Sequence, residues 1–308
     1  MIIFSRNIRY SKKFILNLHQ IFSIRKQMKK FFCRLIVLFC VTGALIGCNS
    51  GTKTDSENNI RFDSLFVDKA YRLLEVEANP QCSLQIKFVY PTDYTNVEIL
   101  RLLQQQFISG FLGDEYLNLA PKEAAEQYAQ DFIEAYKAEE EIFRIEVENH
   151  GHDTMESWYT YNETSNNYIV YNRNDIVSFV AYKDCYYGGA HGSHQYTNRV
   201  VDLKTGQQIT ESDIFVEDYP DDLAIILVNR IALANQVEVT ELENIGFFDV
   251  NEIYPNRNFY VDETGITYTF NEYEIAAYVV GPVSVTIPYD KIRHLLRKES
   301  PVSSIVFR

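Results

Sequence analysis

Two histidines in a glycine-rich stretch are the residues best suited to chemistry. The stretch YYGGAHGSHQY, residues 186–196, places His191 and His194 three positions apart among three glycines. A zinc site needs three or four ligands, and a second shell must orient the histidines. No other Cys or His cluster in the chain has ligand spacing. The sequence therefore predicts no metal site and no cofactor.

The same stretch offers a serine beside a histidine, which are residue types of a hydrolase. Ser193 and His194 are adjacent, however, and adjacent residues of a strand point to opposite faces. The stretch also lacks the Gly-x-Ser-x-Gly turn that exposes a nucleophilic serine, and no Lys-Ser/Thr pair follows its glycines to cradle a phosphate. A non-enzymatic protein is favoured, and catalysis at this turn stays an alternative.

The glycines of the stretch indicate a structural role, which is to shape the backbone. Gly188, Gly189 and Gly192 permit positive φ angles and close backbone approach. We therefore predict a turn between two strands, in which His191 hydrogen-bonds across the turn.

Aromatic residues around this turn indicate a contact surface. Tyrosine gives a large contact area and a polar tip at low entropic cost. The predicted ligand-binding residues are Trp158, Tyr186, Tyr187, His191, His194 and Tyr196. The alternative is that alternate members of this set fill the core of a sheet.

The N-terminus is typical of an exported protein. Residues 1–47 carry nine Lys or Arg and no Asp or Glu, and they end in an uncharged run, residues 35–47, of 13 residues. That run is too short to cross a bilayer comfortably and suits a signal peptide. MKKFF at Met28 also reads as an ordinary start of such a peptide, so Met28 is an alternative beginning of the chain.

The end of this segment predicts lipidation. LIGC, residues 45–48, resembles a lipobox, in which the cysteine is acylated and becomes the new N-terminus. More than one acyl chain on Cys48 would make membrane attachment stable. We expect a lipid anchor in the cell envelope, at the outer membrane, on its periplasmic or its surface face. The polar residues 48–59 are predicted to be a flexible tether.

The folded part is strongly acidic. Removing the nine basic residues of segment 1–47 leaves 20 of the 29 basic residues against 42 acidic ones, a formal charge of −22. Such a surface repels nucleic acid and anionic lipid and speeds encounter with a basic partner. Nucleic acid is therefore excluded as a partner.

Two cysteines remain beyond the lipidation site. Cys82 and Cys185 would lie in an oxidising compartment, where they can pair. Sequence does not measure their separation, so a disulfide and two buried thiols both stay open.

Hydrophobic periodicity predicts helices interspersed among mainly antiparallel strands, which is an α+β fold of two successive α/β modules. Strands are expected at 71–78 and 82–91, in a meander over 142–187, in a hairpin at 258–270 and at the start of 283–296; helices are expected near 97–111, 121–136 and 221–236 and at the end of 283–296. Thr210 and Asp213 resemble a capping box at the start of a helix.

Two longer stretches carry a family resemblance. YYGGAHGSHQYTNRVVDLKTGQQITESDIF (186–215) and GITYTFNEYEIAAYVVGPVSVTIPYDKI (265–292) are similar to domain of unknown function 3298, over roughly residues 183–298. The preceding region resembles its N-terminal companion, domain of unknown function 4163. The chain thus resembles the RsiV/PdaC-type extracellular domain family, which implies an N-terminal companion module at 60–182 and a C-terminal module at 183–308.

The resemblance also implies a function. In that family the module acts as a sensor, and lysozyme binding is its one well-defined activity. Neither a deacetylase motif nor a sigma-binding segment appears in these residues, so those activities are not implied. We predict a non-enzymatic envelope binding module for lysozyme, another basic protein or peptidoglycan. The alternative is a cell-wall-directed hydrolase or metal-dependent enzyme that uses the Gly-Gly-Ala-His turn.

Overall fold

The computed structural model describes residues 57–151 and 156–307. The chain divides into two units, Met1–Thr54 and Asp55–Arg308, and every described residue belongs to the second. The predicted signal peptide, the lipidation site Cys48 and most of the tether lie outside the described residues.

Five strands form the larger sheet, and their spatial order is the chain order. They are β1 (Arg61–Arg72), β2 (Gln81–Asp93), β3 (Tyr161–Arg173), β4 (Ile176–Tyr187) and β5 (Ser193–Asp202). The β2–β3 pair is parallel and the other neighbours are antiparallel. A parallel pair needs a long crossover, and the helices between β2 and β3 supply it.

The crossover helices are α1 (Val97–Phe111), α2 (Pro121–Lys137), α3 (Glu140–His150) and α4 (Glu156–Tyr159). Asn96 begins α1, because its side chain accepts hydrogen bonds from the backbone N–H groups of Glu98 and Ile99 at 2.9 and 3.3 Å. Helices α1 and α2 cover one face of the sheet, where the rings of Phe107 and Phe179 stack 4.1 Å apart.

The second half of the chain forms a smaller antiparallel sheet with its own helices. Its strands are β6 (Phe259–Val261), β7 (Gly265–Phe270) and β8 (Val283–Pro288), and its helices are α5 (Glu211–Ile214), α6 (Tyr219–Asn235), α7 (Tyr289–Ile292) and α8 (Ser303–Val306). Short 3₁₀ turns lie at Leu73–Glu75, Asp114–Tyr116, Val239–Glu241, Glu243–Ile245, Val250–Glu252, Tyr278–Val280 and Arg293–Leu295. Helix α6 packs its apolar side on this sheet.

The two sheets share one core. Tyr171, Ile176 and Val200 of the larger sheet pack in the same apolar cluster as α6 and the smaller sheet. The Ser178 hydroxyl donates to the Val261 carbonyl at 2.7 Å. The module boundary predicted between residues 182 and 183 falls inside β4, so the chain has no structural break there.

The α+β class predicted from periodicity is confirmed. The helices expected at 97–111, 121–136 and 221–236 form as α1, α2 and α6, and the hairpin expected at 258–270 forms as β6 and β7. The Asp213 carboxylate accepts from both the N–H and the hydroxyl of Thr210 at 2.7 Å, as the capping box predicted.

Two predicted strands are wrong. Only Tyr71 and Arg72 of the strand expected at 71–78 lie in β1, and a 3₁₀ turn at Leu73–Glu75 follows them. Residues 142–149 read as an alternating strand but belong to α3, because Phe143 and Val147, one turn apart, pack together into a small cluster with Tyr136 and Tyr159. Glutamates in the first turn also favour a helix at this point. The alternating pattern places Ile145 on one face with Phe143 and Val147, although the Ile145 side chain is 47% exposed.

Among the described residues, no single helix is long and apolar enough to cross a membrane. One pair, Tyr219–Asn235 with Val239–Ile245, passes by length and composition together but is bent by 72°.

The orientation of α3 predicts unequal effects of two nearby substitutions. Phe143 is 1% exposed and Ile145 is 47% exposed, although a strand would place both on one face. Phe143→Ala should lower the free energy of unfolding by about 3 kcal/mol, because it leaves a cavity. Ile145→Ala, its matched control, should change it by less than about 0.5 kcal/mol. Urea denaturation measures both, and equal losses would indicate a shared strand face and contradict the helix.

Candidate functional site

The glycine turn and helix α4 border one open cleft of about 480 Å³. The cleft is lined by Glu139, Glu146, Trp158, Tyr159, Tyr161, Tyr187, Gly188 and Gly189. It therefore brings together two of the predicted ligand-binding residues, Trp158 and Tyr187, with two acidic residues that the sequence analysis did not select.

Consecutive residues of α4 have opposite roles. Trp158 is 62% exposed and is the one tryptophan of the chain. Tyr159 is buried against Phe143, with ring centroids 5.1 Å apart, and its hydroxyl donates to Glu146 Oε2 at 3.0 Å. Burial and the Glu146 carboxylate raise the pKa of Tyr159 to about 12, so it stays a neutral donor. Tyr159 anchors α4, and Trp158 is left facing solvent at the cleft.

The glycine turn packs directly on the backbone of α4. Gly188 has φ +80°, and a Cβ there would lie 2.3 Å from the Trp158 carbonyl oxygen. The Tyr186 hydroxyl donates to the carbonyls of Ser157 at 2.8 Å and Gly189 at 2.9 Å. Only glycine, which has no Cβ, allows the two backbones to come this close, so the contact fixes the position of the Trp158 backbone.

A buried carboxylate holds the other aromatic wall of the cleft. The side chain of Glu163 is 1% exposed, and its carboxylate accepts a hydrogen bond from the Tyr187 hydroxyl. It also accepts from the hydroxyls of Tyr128 and Ser165, both at 2.7 Å, and lies 3.5 Å from Lys183 Nζ. Paired and hydrogen-bonded in this way, the buried charge is stabilised.

The same carboxylate affects the two tyrosines. Burial raises the pKa of both Tyr128 and Tyr187 far above the usual range, and the Glu163 charge raises it further. Both phenols therefore remain protonated donors at physiological pH. Tyr187 forms a fixed wall of the cleft, and it keeps its proton and does not act as an acid.

The acidic side of the cleft comes from Glu139, just before α3, and Glu146 within it. Both are half-buried and seven residues apart, which is two helical turns, so they lie on one face. Sequence reasoning missed both glutamates, because Glu146 lies in a segment, residues 142–149, that its alternating pattern predicted to be a strand. Helical spacing of the two glutamates was the signal that could have found them.

His194 lies outside the cleft, on β5. Its Nδ1 is 2.7 Å from Glu272 Oε1, and its backbone N–H donates to Glu272 Oε2 at 3.1 Å. Its Nε2 lies 3.7 Å from Asp184, and the Glu272 side chain is almost wholly buried. Both ring nitrogens of His194 thus face carboxylates, which ties β5 to the chain after β7.

His191 makes a separate set of contacts at the end of the turn. Its ring stacks on Tyr278 with centroids 3.9 Å apart, its Nδ1 is 2.9 Å from the Gly192 carbonyl oxygen, and its Nε2 is 3.4 Å from the Tyr273 hydroxyl. Within the turn its contact is with the adjacent Gly192, so the predicted hydrogen bond across the turn does not form, and its other partners come from the segment after β7.

Tyr196, also predicted for the binding surface, packs against Tyr182 at 4.8 Å, and its N–H donates to Asn271 Oδ1 at 2.7 Å. The predicted site therefore divides: Trp158 and Tyr187 line the cleft, Tyr186 supports it, and His191, His194 and Tyr196 join β5 and the turn to the later chain.

In the described part of the chain, neither a serine hydrolase site nor a metal site is assembled at the Gly-Gly-Ala-His turn. Ser193 Oγ lies 3.1 Å from Cys185 Sγ, whereas His194 is engaged with Glu272. Over residues 57–151 and 156–307, no group of three or more His, Cys, Asp or Glu is arranged to hold a metal ion.

The two cysteines are free thiols, and the disulfide alternative is wrong. Cys82 lies on β2 and Cys185 on β4, with β3 hydrogen-bonded between them. Neighbouring strands are about 4.8 Å apart, so two steps give roughly 9.6 Å. A disulfide requires Cα atoms within about 7 Å.

Two family models match the chain, and they indicate an extracellular-type domain family. Residues 77–194 match the family model described as "Deacetylase PdaC", and residues 212–290 match "Protein of unknown function (DUF3298)". The chain belongs to the PdaC/DUF3298 domain family, as the resemblance implied. The glycine turn, assigned from sequence to the C-terminal module, falls within the PdaC match.

Two solved structures are similar. A member of the DUF3298 family from Bacteroides fragilis is 27% identical, with a TM-score of 0.76, over 83% of this chain and 100% of that one. A DUF3298 family protein from Pseudomonas aeruginosa is 12% identical, with a TM-score of 0.50, over 77% of this chain and 95% of that one, and shows the fold alone. No curated protein matches the chain.

The contact between Gly188 and α4 predicts different effects of two glycine substitutions. Gly188→Ala must move the backbone of Trp158, so it should lower stability and shift the fluorescence emission of that single tryptophan. Gly189→Ala is the matched control: its φ is +92°, but a Cβ there meets nothing within 4 Å. It should cost only the backbone strain of about 1 kcal/mol and leave the emission unchanged. Equal emission shifts would contradict the contact.

The two thiols should differ in reactivity. Burial raises the pKa of Cys82 to about 11, so at pH 8 roughly a thousandth of it is thiolate, the reactive form. Iodoacetamide at pH 8 should label the half-buried Cys185 in the native protein and Cys82 only after unfolding. Mass spectrometry of the cysteine peptides reads each site. Absence of label at both cysteines in the unfolded, unreduced protein would show a disulfide.

Proposed function

We propose that this chain is a cell-envelope lipoprotein whose cleft binds a cationic side chain on the surface of a basic protein, with lysozyme as the test case. One observation carries the proposal: the exposed ring of Trp158 lines the same cleft as the half-buried carboxylates of Glu139 and Glu146. That combination suits an Arg or Lys side chain better than an anion or an apolar ligand.

The energetics favour a cation in this cleft. A guanidinium or ammonium over a tryptophan face gains about 0.5–2 kcal/mol, and more as it loses water. Hydrogen bonds between ionised partners are roughly twice as strong as neutral ones. The formal charge of −22 on the folded part would steer a basic protein towards the surface before the cleft selects one side chain.

The envelope location is supported by sequence. The basic start, the short apolar run and the lipobox-like LIGC ending at Cys48 suit an exported and acylated protein. The tether would hold the domain away from the lipid surface at the outer membrane. A soluble basic partner could then reach the cleft from the surrounding compartment.

A second candidate ligand is a peptidoglycan strand, because an exposed tryptophan can stack on a sugar ring. The observation in its favour is the exposure of Trp158 itself. The two carboxylates beside that ring weigh against it, since they favour a cation over a neutral or acidic glycan. We therefore place the basic protein first.

Lysozyme binding should weaken with salt and with loss of the cleft's charges. We expect calorimetric titration at low salt to show binding, and Glu139→Gln with Glu146→Gln to weaken it by at least about tenfold, since two charge-assisted contacts are lost. Trp158→Ala should weaken it similarly, because an aromatic anchor is removed. High salt should weaken every complex.

The matched control is Glu77→Gln with Glu148→Gln, which removes the same charge from exposed positions that do not line the cleft. It should change affinity only slightly. If control and cleft variants lose affinity equally, the general charge binds and the cleft does not. If no lysozyme binds at low salt, the acidic cleft has no lysozyme role, and titration with soluble peptidoglycan fragments tests the second candidate.

A further inference from the structure

A second cleft, of about 410 Å³, has the opposite chemical character. It lies beside β5, α5 and the start of β6, and two arginines, Arg199 and Arg257, line it. Its size suits a small organic ligand. In a folded part with only 20 basic residues against 42 acidic ones, two arginines in one cleft are a local reversal of charge.

Arg199 is a half-buried cation with few partners. Its Nη1 donates to Gln208 Oε1 at 3.2 Å, while its buried Nε–H has no acceptor among the described residues. Its aliphatic stem lies close to Gly110, where an added Cβ would be 2.9 Å from Arg199 Cγ. Burial lowers the pKa of Arg199, and the charge of Asp114 partly opposes this effect.

The backbone at Arg257 has an unfavourable conformation. Its φ is +63°, which a residue with a side chain seldom adopts, and its N–H donates to Glu211 Oε1 at 2.9 Å. Glu211 Oε2 accepts from the Tyr219 hydroxyl at 2.7 Å. The buried Glu211 carboxylate therefore holds the backbone and a tyrosine, and it forms no ion pair with the Arg257 guanidinium.

Both guanidinium groups lack a carboxylate partner. In the described part of the chain, none of the ion pairs within 4.0 Å includes Arg199 or Arg257. A buried donor without an acceptor costs free energy, more so when it is charged. An anion in the cleft would pair with both charges, because both arginines line it.

We propose that Arg199 and Arg257 bind the oxyanion of a small carboxylate- or phosphate-bearing ligand in this cleft. The planar fork of a guanidinium matches both groups through paired hydrogen bonds. The site is separate from the acidic cleft, shares no lining residue with it and does not depend on the function proposed there.

The test is calorimetric titration of the full chain with succinate and, separately, with inorganic phosphate, at an ionic strength held constant with sodium chloride. We expect saturable binding of at least one anion. Tighter binding of succinate would assign a carboxylate ligand, and tighter binding of phosphate a phosphoryl ligand. If neither anion binds above the chloride background, the proposal fails.

Variants locate the site. Arg257→Gln, at an exposed position, and Arg199→Met, which keeps an apolar stem, should each weaken binding by at least about tenfold. The matched control Arg101→Gln removes the same charge from an exposed position on α1, where Arg101 lies 3.7 Å from Glu98, and should leave the affinity unchanged. Should Arg199→Met fail to fold, Arg257→Gln alone decides. Equal affinities for Arg257→Gln and wild type would overturn the proposal.

Discussion

The buried carboxylate of Glu163 is the interaction on which the geometry of the acidic cleft depends. A carboxylate in the interior costs several kcal/mol unless its oxygens are satisfied, so its hydrogen-bond partners must stay in place. Tyr128 comes from α2 and Tyr187 from the end of β4, so one charge joins a helix to a strand. Because Gly188 follows Tyr187 directly, the turn begins from a fixed point, and the close approach of that turn to α4 then positions Trp158.

The two clefts illustrate how an acidic protein can hold sites of opposite preference. In the acidic cleft the carboxylates are half-buried beside an exposed ring, while the buried Glu163 carboxylate behind Tyr187 is stabilised by hydrogen bonds and by Lys183. In the cleft lined by Arg199 and Arg257, the Glu211 carboxylate accepts hydrogen bonds from Tyr219 and from the Arg257 backbone, and it forms no ion pair with either arginine. At each cleft one buried glutamate accepts structural hydrogen bonds, and other charged side chains line the cleft.

Hydrophobic periodicity predicted most helices and strands correctly. It failed where contacts between distant parts of the chain determine the structure. Helices α1, α2 and α6 carry apolar residues at intervals of three and four, so local pattern and packing agree. Helix α3 was misread because the exposed Ile145 completes an alternating pattern with Phe143 and Val147, and only packing shows that Phe143 is buried and Ile145 is not. Two aromatics of the cleft, Trp158 and Tyr187, were among the predicted residues, but the histidines were not placed, because Glu272 and Tyr278 approach them from about 80 residues further along the chain.

Some residues around the acidic cleft are required by the fold, and others are not. Gly188, Tyr159 and Glu163 are fixed by backbone approach, burial and hydrogen bonds, so the fold of this chain depends on them. Trp158 contributes little to the core, because most of its ring faces solvent, and an exposed tryptophan loses favourable burial energy. The fold is shared with a relative at 27% identity, and a fold by itself does not determine function. The functional question therefore rests on side chains such as Trp158, Glu139, Arg199 and Arg257, which stability alone does not account for.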